Sequence, residues 1–387
     1  MSRSFLPFLG MLNRRTLRIK IMQSLFAYEQ CKEAEYLLSQ DYIDTFFQPD
    51  LNSMKVQDKS LLKGQRSTAL QRFEKAFKGE AVPEATDPRV GQAVDESLEQ
   101  YKKHTKKDFD FFRKNIVSDV EKISGYYHRL LNLIPALATI AAQDKKVKTS
   151  HFTDHPFVIA LRNNEELRKE TLRRGGSWDQ RMDVVKSWWK DCVKTDAEVL
   201  KYLALETPDT EAGKGFMKHL IRKVILGETA INSFFEEDDL RWAEDHEIVK
   251  SLADKTLKSL DEDAKTIELQ KLSLDWDEDK NFIEKLFAAT TKLEPYYHEL
   301  IASNTKNWEV DRLPLTDQII LLMAMAELTT FPNIPVKVTI NEYIELAKQY
   351  STPKSRQFIN GILDVIAKEL KATGRIKKSG RGLIDNK

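Results

Sequence analysis

Wherever this chain shows a period, its apolar residues recur every three or four positions, the mark of amphipathic helices. Leu17, Ile21, Leu25 and Tyr28 form one stripe over residues 12–30. Helix geometry puts Arg14 near the angular position of Ile21 and Leu25, with Arg18 beside it. Guanidinium groups do not belong where leucines are buried. The first turns are therefore predicted to overhang the core and offer Arg14 and Arg18 to solvent or to a ligand.

Residues 36–107 are the least regular, and Gly79 to Pro88 reads as a loop. A helix is expected from about Phe109, through Ile116, Val120, Ile123 and Tyr127 to Leu131, with Pro135 kinking or restarting it. Asp317 to Leu328 is apolar nearly all round and reads as a central buried helix. Thr339 is the expected cap of a helix over Ile340–Gln349. Thr352 before Pro353 marks the start of the last helix, with the stripe Phe358, Ile359, Ile362, Leu363, Ile366 and Leu370. Nothing reads as parallel strands, and the expected class is all-α.

Between residues 150 and 310 the tryptophans Trp178, Trp242, Trp276 and Trp308 are spaced 64, 34 and 32 apart. Phe152, Phe216 and Phe282 are spaced 64 and 66 apart. The pattern fits either stacked helical pairs, with Trp closing each turn, or a chance alignment of six tryptophans.

A length of 387 residues allows two or three structural units. Few Gly and Pro for that length argue for long helices with short connections. Two cysteines, Cys31 and Cys192, cannot build a disulfide framework, so a reducing, cytoplasmic setting is expected. No apolar run reaches the roughly 20 residues of a membrane helix. The short apolar start around Phe5 to Leu9, broken by Pro7, lacks a cleavage site; residues 1–10 read as an extension upstream of Met11.

Net charge is +1 and excludes nothing, but its distribution is uneven. Arg3, Arg14, Arg15, Arg18 and Lys20 occur before any acidic residue. The tail is basic again with Arg375, Lys377, Lys378, Arg381 and Lys387. Such local basic ends can bind phosphates.

Two strings are more specific than composition. One is Ile334-Pro335-Val336-Lys337-Val338-Thr339-Ile340-Asn341-Glu342, followed by Ser351-Thr352-Pro353-Lys354-Ser355 and Phe358-Ile359-Asn360-Gly361-Ile362-Leu363-Asp364. The other is Asn13-Arg14-Arg15-Thr16-Leu17-Arg18 running on to Phe26. They resemble the C-terminal part and the arginine-rich first helix of the NusB family, helical RNA-binding factors of transcription antitermination. Compact members are well under half this length. The resemblance therefore implies a long form: an N-terminal arginine-rich helix within 1–35, a helical insertion over 36–280, a C-terminal core over 281–372, and a basic tail over 373–387.

The family's function implies a partner, NusE, which is also a small-subunit ribosomal protein. The pair binds single-stranded boxA RNA of ribosomal transcripts and joins an RNA polymerase antitermination complex. No catalysis, cofactor or membrane is implied. The RNA-binding residues implied here are Arg14, Arg15, Arg18, Gln23, Phe26, Arg356 and Asn360; Lys354, Ser355 and Phe358 are implied to meet the partner. The chain departs from the family with Thr16 for a third arginine, Phe26 for a tyrosine, and Lys354 for a frequent acidic residue.

Single-stranded RNA is held by cations on its backbone and planar groups stacked on splayed bases, and the arginines with Phe26 supply both. Gln23 could read a base edge, or cap or pack. Gly361 is expected to let a neighbouring helix approach closely, while Asn360 could donate to RNA or partner. No metal-ligand spacing is present; His151 and His155 are four apart, but Pro156 opposes a regular helix there. No phosphate loop or nucleophile elbow appears, which counts against a fused RNA methyltransferase. The alternative of another class is a helical-repeat protein-interaction scaffold with RNA binding secondary or lost.

Overall fold

The computed structural model describes residues 12–52, 54, 56–304 and 313–386. Trp308 and residues 1–11 lie outside them, so neither the fourth tryptophan nor the proposed upstream extension is described. The described residues are all-α, with no strand and one isolated bridge between Asp261 and Thr266. They form two compact units. The N/C unit comprises Arg18–Val117 and Lys280–Lys387; the middle unit comprises Ser118–Asp279 with residues 12–17.

Helix α1 runs over Arg14–Phe46, α2 over Lys59–Phe77 and α3 over Pro88–Ala141. In the N/C unit Ile21, Leu25 and Tyr28 of α1 are buried. The Tyr28 ring meets Phe109 of α3 at 6.2 Å and Phe287 at 6.1 Å between centroids.

Residues 36–107, the least regular in pattern, are mostly helical. Ile43, Phe47, Leu62, Ala69, Phe73, Val90, Ala93 and Val94 form a core where the end of α1, α2 and the start of α3 meet. That core takes few residues from each helix, so the stripes are sparse and their period is faint. Asp58 caps α2 by accepting from the Ser60 and Leu61 amides. The loop before Pro88 lies where expected, and α3 continues through Pro135 without a break.

The middle unit holds eight further α-helices: α4 Ser150–Thr153, α5 Pro156–Asn163, α6 Glu165–Arg174, α7 Met182–Trp188, α8 Ala197–Leu203, α9 Thr210–His219, α10 Thr229–Asp238 and α11 Trp242–Lys258. Helices α7 and α9 each widen into a π turn. One aromatic cluster joins Trp178, Trp188, Phe234, Phe235 and Trp242. Another stacks Tyr202 on Phe216 at 4.2 Å, with Phe152 edge-on to Phe216.

The spacing of aromatic residues does not mark equal helical pairs. Trp178 and Trp242 are buried, but Trp276 is half-exposed. Phe152 and Phe216 pack on each other, whereas Phe282 belongs to the N/C unit and meets Phe331. The intervening helices also differ widely in length.

Helix α12 spans Trp276–Thr291, α13 Pro295–Asn304, α14 Leu315–Thr330, α15 Val336–Tyr350 and α16 Pro353–Ala372. As its composition predicts, α14 is buried almost all round. Helix α15 starts after Pro335, not after Thr339; Thr339 is a buried interior residue with a different partner, described below. Thr352 caps α16, its Oγ1 accepting from the Ser355 amide at 3.2 Å. The basic tail folds back within the N/C unit. The Arg375 guanidinium lies 4.3 Å from the Tyr296 ring centre, and Lys378 donates to the Phe331 carbonyl. A Cβ at Gly382 would collide with the Pro332 carbonyl oxygen, so only glycine permits that backbone approach.

Candidate nucleic-acid interface

The three arginines at the start of α1 have three different fates. Arg14 is half-buried and donates to Glu278 at 2.6 Å, with Asp279 at 3.4 Å. Arg15 is exposed. Arg18, expected at the solvent, is buried, as is Lys20.

Arg18 is buried because α14 presents a carboxylate to it. Glu327 is fully buried and receives Nε and Nη2 of Arg18, each at 2.7 Å. Thr339 donates to the same carboxylate at 2.9 Å and the Tyr343 hydroxyl at 3.0 Å. Glu342 lies 3.5 Å from Arg18, and the rings of Phe282 and Tyr343 flank the guanidinium. Burial alone would weaken the guanidinium's hold on its proton, but the hydrogen bonds and charge of Glu327 outweigh it and raise the Arg18 pKa. Burial, then Glu327, pushes the Tyr343 hydroxyl well above its ordinary range. A buried charge needs a partner of opposite sign with its hydrogen-bonding capacity filled, and these side chains meet that demand. The signal was present in the sequence: Glu327 is an acid deep inside a largely apolar helix whose other charge, Asp317, lies in its first turn, and such a group calls for a cation from elsewhere.

Phe26 is 41% exposed and Gln23 is half-buried. Eleven residues apart on α1, Arg15 and Phe26 fall within about 20° of each other around the helix axis and about 16 Å apart along it. On α16, Arg356 and Asn360 are exposed and one turn apart. Lys354 is exposed, Phe358 half-buried, and Ser355 buried where its amide serves the Thr352 cap. Gly361 is exposed, and a Cβ there would meet nothing within 4 Å. The expected close approach of a neighbouring helix is therefore absent among the described residues.

Among the described residues no group of His, Cys, Asp and Glu is placed to hold a metal ion, and no helix is long and apolar enough to cross a membrane.

The NusB family model matches residues 241–368, from α11 through most of α16. The transcription antitermination protein NusB of Koribacter versatilis (strain Ellin345) is 38% identical over 122 residues, which cover 82% of its length and 32% of this chain. The chain belongs to the NusB family.

Two other NusB proteins of the same name agree. That of Salinibacter ruber (strain DSM 13855 / M31) is 44% identical over 105 residues, and that of Chloroherpeton thalassium (strain ATCC 35110 / GB-78) is 42% identical over 106. Each alignment covers 27% of this chain, and respectively 66% and 50% of the relative. No solved structure matches. The NusB match begins at Arg241, so α4–α10 of the middle unit lie before it.

Proposed function

We propose that this chain is a transcription antitermination factor that binds single-stranded, boxA-type RNA of ribosomal transcripts together with NusE, as part of an RNA polymerase antitermination complex in the cytoplasm. The observation that carries the reading is the shared name of the three relatives, all transcription antitermination proteins. Local chemistry supports it. One face of α1 carries an exposed cation, Arg15, and an exposed planar ring, Phe26. Phosphate neutralisation and base stacking are the two contacts that hold single strands without duplex geometry.

Arg15, Arg14 and Phe26 form the primary RNA surface in this reading, with Gln23 at its edge. Arg18, paired with Glu327, holds the fold of the N/C unit. Arg356 and Asn360 offer a second polar face on α16, and Lys354 and Phe358 meet NusE; Ser355 acts through the helix cap. The proposed mechanism is binding without catalysis. Coupling between the two ligands is reciprocal, so NusE and RNA should strengthen each other by the same factor.

The test is fluorescence anisotropy of the full chain with a labelled boxA-like single strand, with and without purified NusE. Tight, salt-sensitive binding that NusE strengthens is expected. Capture of NusE with no RNA affinity at any salt would favour the protein-scaffold alternative instead.

A further inference from the structure

The middle unit contains a cleft of about 530 Å³ that the reading above does not use. That volume lies within the usual range of small-ligand clefts, about 300–1,000 Å³. One wall is the extended segment from Leu269 to Ser273, ending in Trp276 at the start of α12; the other walls are α3 and α6. The wall is pinned rather than loose. The Gln270 amide donates to the Tyr127 hydroxyl at 3.0 Å, and the Leu12 amide donates to the Leu272 carbonyl at 3.0 Å.

Three features of the cleft point to a ligand. His128 lines it with a ring that is 94% buried. Trp276 is half-exposed at the cleft and offers an indole face. Gln270, on the extended wall, carries a side-chain amide whose Nε2 donates to the Glu268 carbonyl at 3.2 Å, leaving a second N–H to donate and Oε1 to accept.

The charges narrow the class. Arg173 and Arg174 share one carboxylate, Glu170, at 2.7 and 2.9 Å. Glu121 and Glu166 at the rim balance the remaining cations, Lys271 included. A balanced rim is a poor primary seat for a phosphate. It suits a neutral, planar group with donors and acceptors on its edge. Burial drives the His128 imidazole towards its neutral form, so it adds no charge to the wall.

The cleft is also anchored to the basic start of α1. Leu12 binds the wall directly, and Arg14 pairs with Glu278 in the first turn of α12, two residues beyond Trp276. A strand following Arg14 and Arg15 therefore reaches this wall within the same unit.

We infer that the cleft takes one unstacked base of the bound single-stranded RNA, with Trp276 stacking on its face and Gln270 pairing with its edge. The inference rests on the RNA-binding reading above. It assigns the middle unit a part in reading sequence, in addition to the contacts along α1.

The experiment uses the full chain and a boxA-like single strand made with an abasic site at each position in turn. One position should lose roughly tenfold in affinity when its base is removed, within the range for one stacked base. Trp276→Leu should bind the intact strand about tenfold more weakly and be indifferent to that abasic site, while Trp276→Phe should retain most affinity. Because Trp276 is half-exposed, Trp276→Leu should leave the thermal melt near that of the parent. A variant that melts early is replaced by Gln270→Ala, judged by the same loss of sensitivity to the abasic site.

RNA binding by the parent with equal abasic profiles in parent and variants overturns the base site alone. Loss of NusE capture by Trp276→Leu with RNA binding intact overturns it too, and marks the cleft as a protein site. A parent without RNA affinity defeats the functional reading and this inference together.

Discussion

Arg18 and Glu327 form a bidentate ion pair, both bonds 2.7 Å long, with neither side chain more than 2% exposed. Removing one partner strands the other charge in a dry site. Arg18→Ala and Glu327→Ala should each cost about 3–5 kcal/mol of stability, while replacing both by apolar residues of similar volume should cost far less. Urea melts of the two single variants and the double variant measure this. Additive losses in the double variant would show that the pair is not the coupled unit described here.

The face of α1 gives a second expectation. Arg15→Ala should lower RNA affinity and reduce the salt slope of log K by about 0.7, the contribution of one phosphate contact to a single strand. Phe26→Ala should cost about 1–3 kcal/mol of binding with little change in slope, because stacking is not ionic. Binding titrations at four salt concentrations separate the two effects. Identical slopes for Arg15→Ala and the parent would remove Arg15 from the phosphate path.

Acid should weaken the middle unit through two buried histidines. Burial lowers His128 and His155 from the ordinary 6.5 to about 4. A histidine held neutral in the fold favours folding fully above its unfolded pKa. That contribution is lost as pH falls from about 6.5 towards 4, because the unfolded chain binds the proton first. Each shift corresponds to roughly 3 kcal/mol at most. Denaturant melts at pH 7.5 and 4.5 should differ accordingly, and His155→Asn, which keeps a cap acceptor for the Phe157 amide, should narrow the difference. A stability independent of pH across this window contradicts the expectation.

Gly361 sits in the middle of α16, exposed, away from positive φ, and with open space where a Cβ would be. Gly361→Ala should therefore raise stability by about 1 kcal/mol. A thermal melt checks this directly. Lower stability would mean that the backbone at this position is constrained by something other than its surroundings in the fold.

What was legible in the sequence was local. The apolar ring of α14, the Thr352–Pro353 start of α16, the loop before Pro88 and the α1 stripe each depend on residues a few positions apart. Two kinds of feature were not. The sparse core around Phe47, Phe73 and Val94 draws few residues from each of three helices, so no window carries a strong period. The fate of Arg18 depends on Glu327, which no local pattern connects to it. Angular position on α1 correctly put Arg18 among the leucines; the missing fact was that a carboxylate waits there. Thr339 was misread for the same reason, since its hydroxyl serves Glu327 and not a helix end.

The separation between Arg18 and Glu327, 309 residues, has a consequence for synthesis. At about 5–20 residues per second, the first helix waits on the order of 15–60 s for its counter-charge to be translated. Until then the guanidinium has only water to satisfy it, and the apolar stripe beside it has no opposing helix from the far end of the chain. The segment that begins the N/C unit is thus completed by a helix translated some 309 residues later, and during that interval it is open to whatever anion or chaperone it meets first.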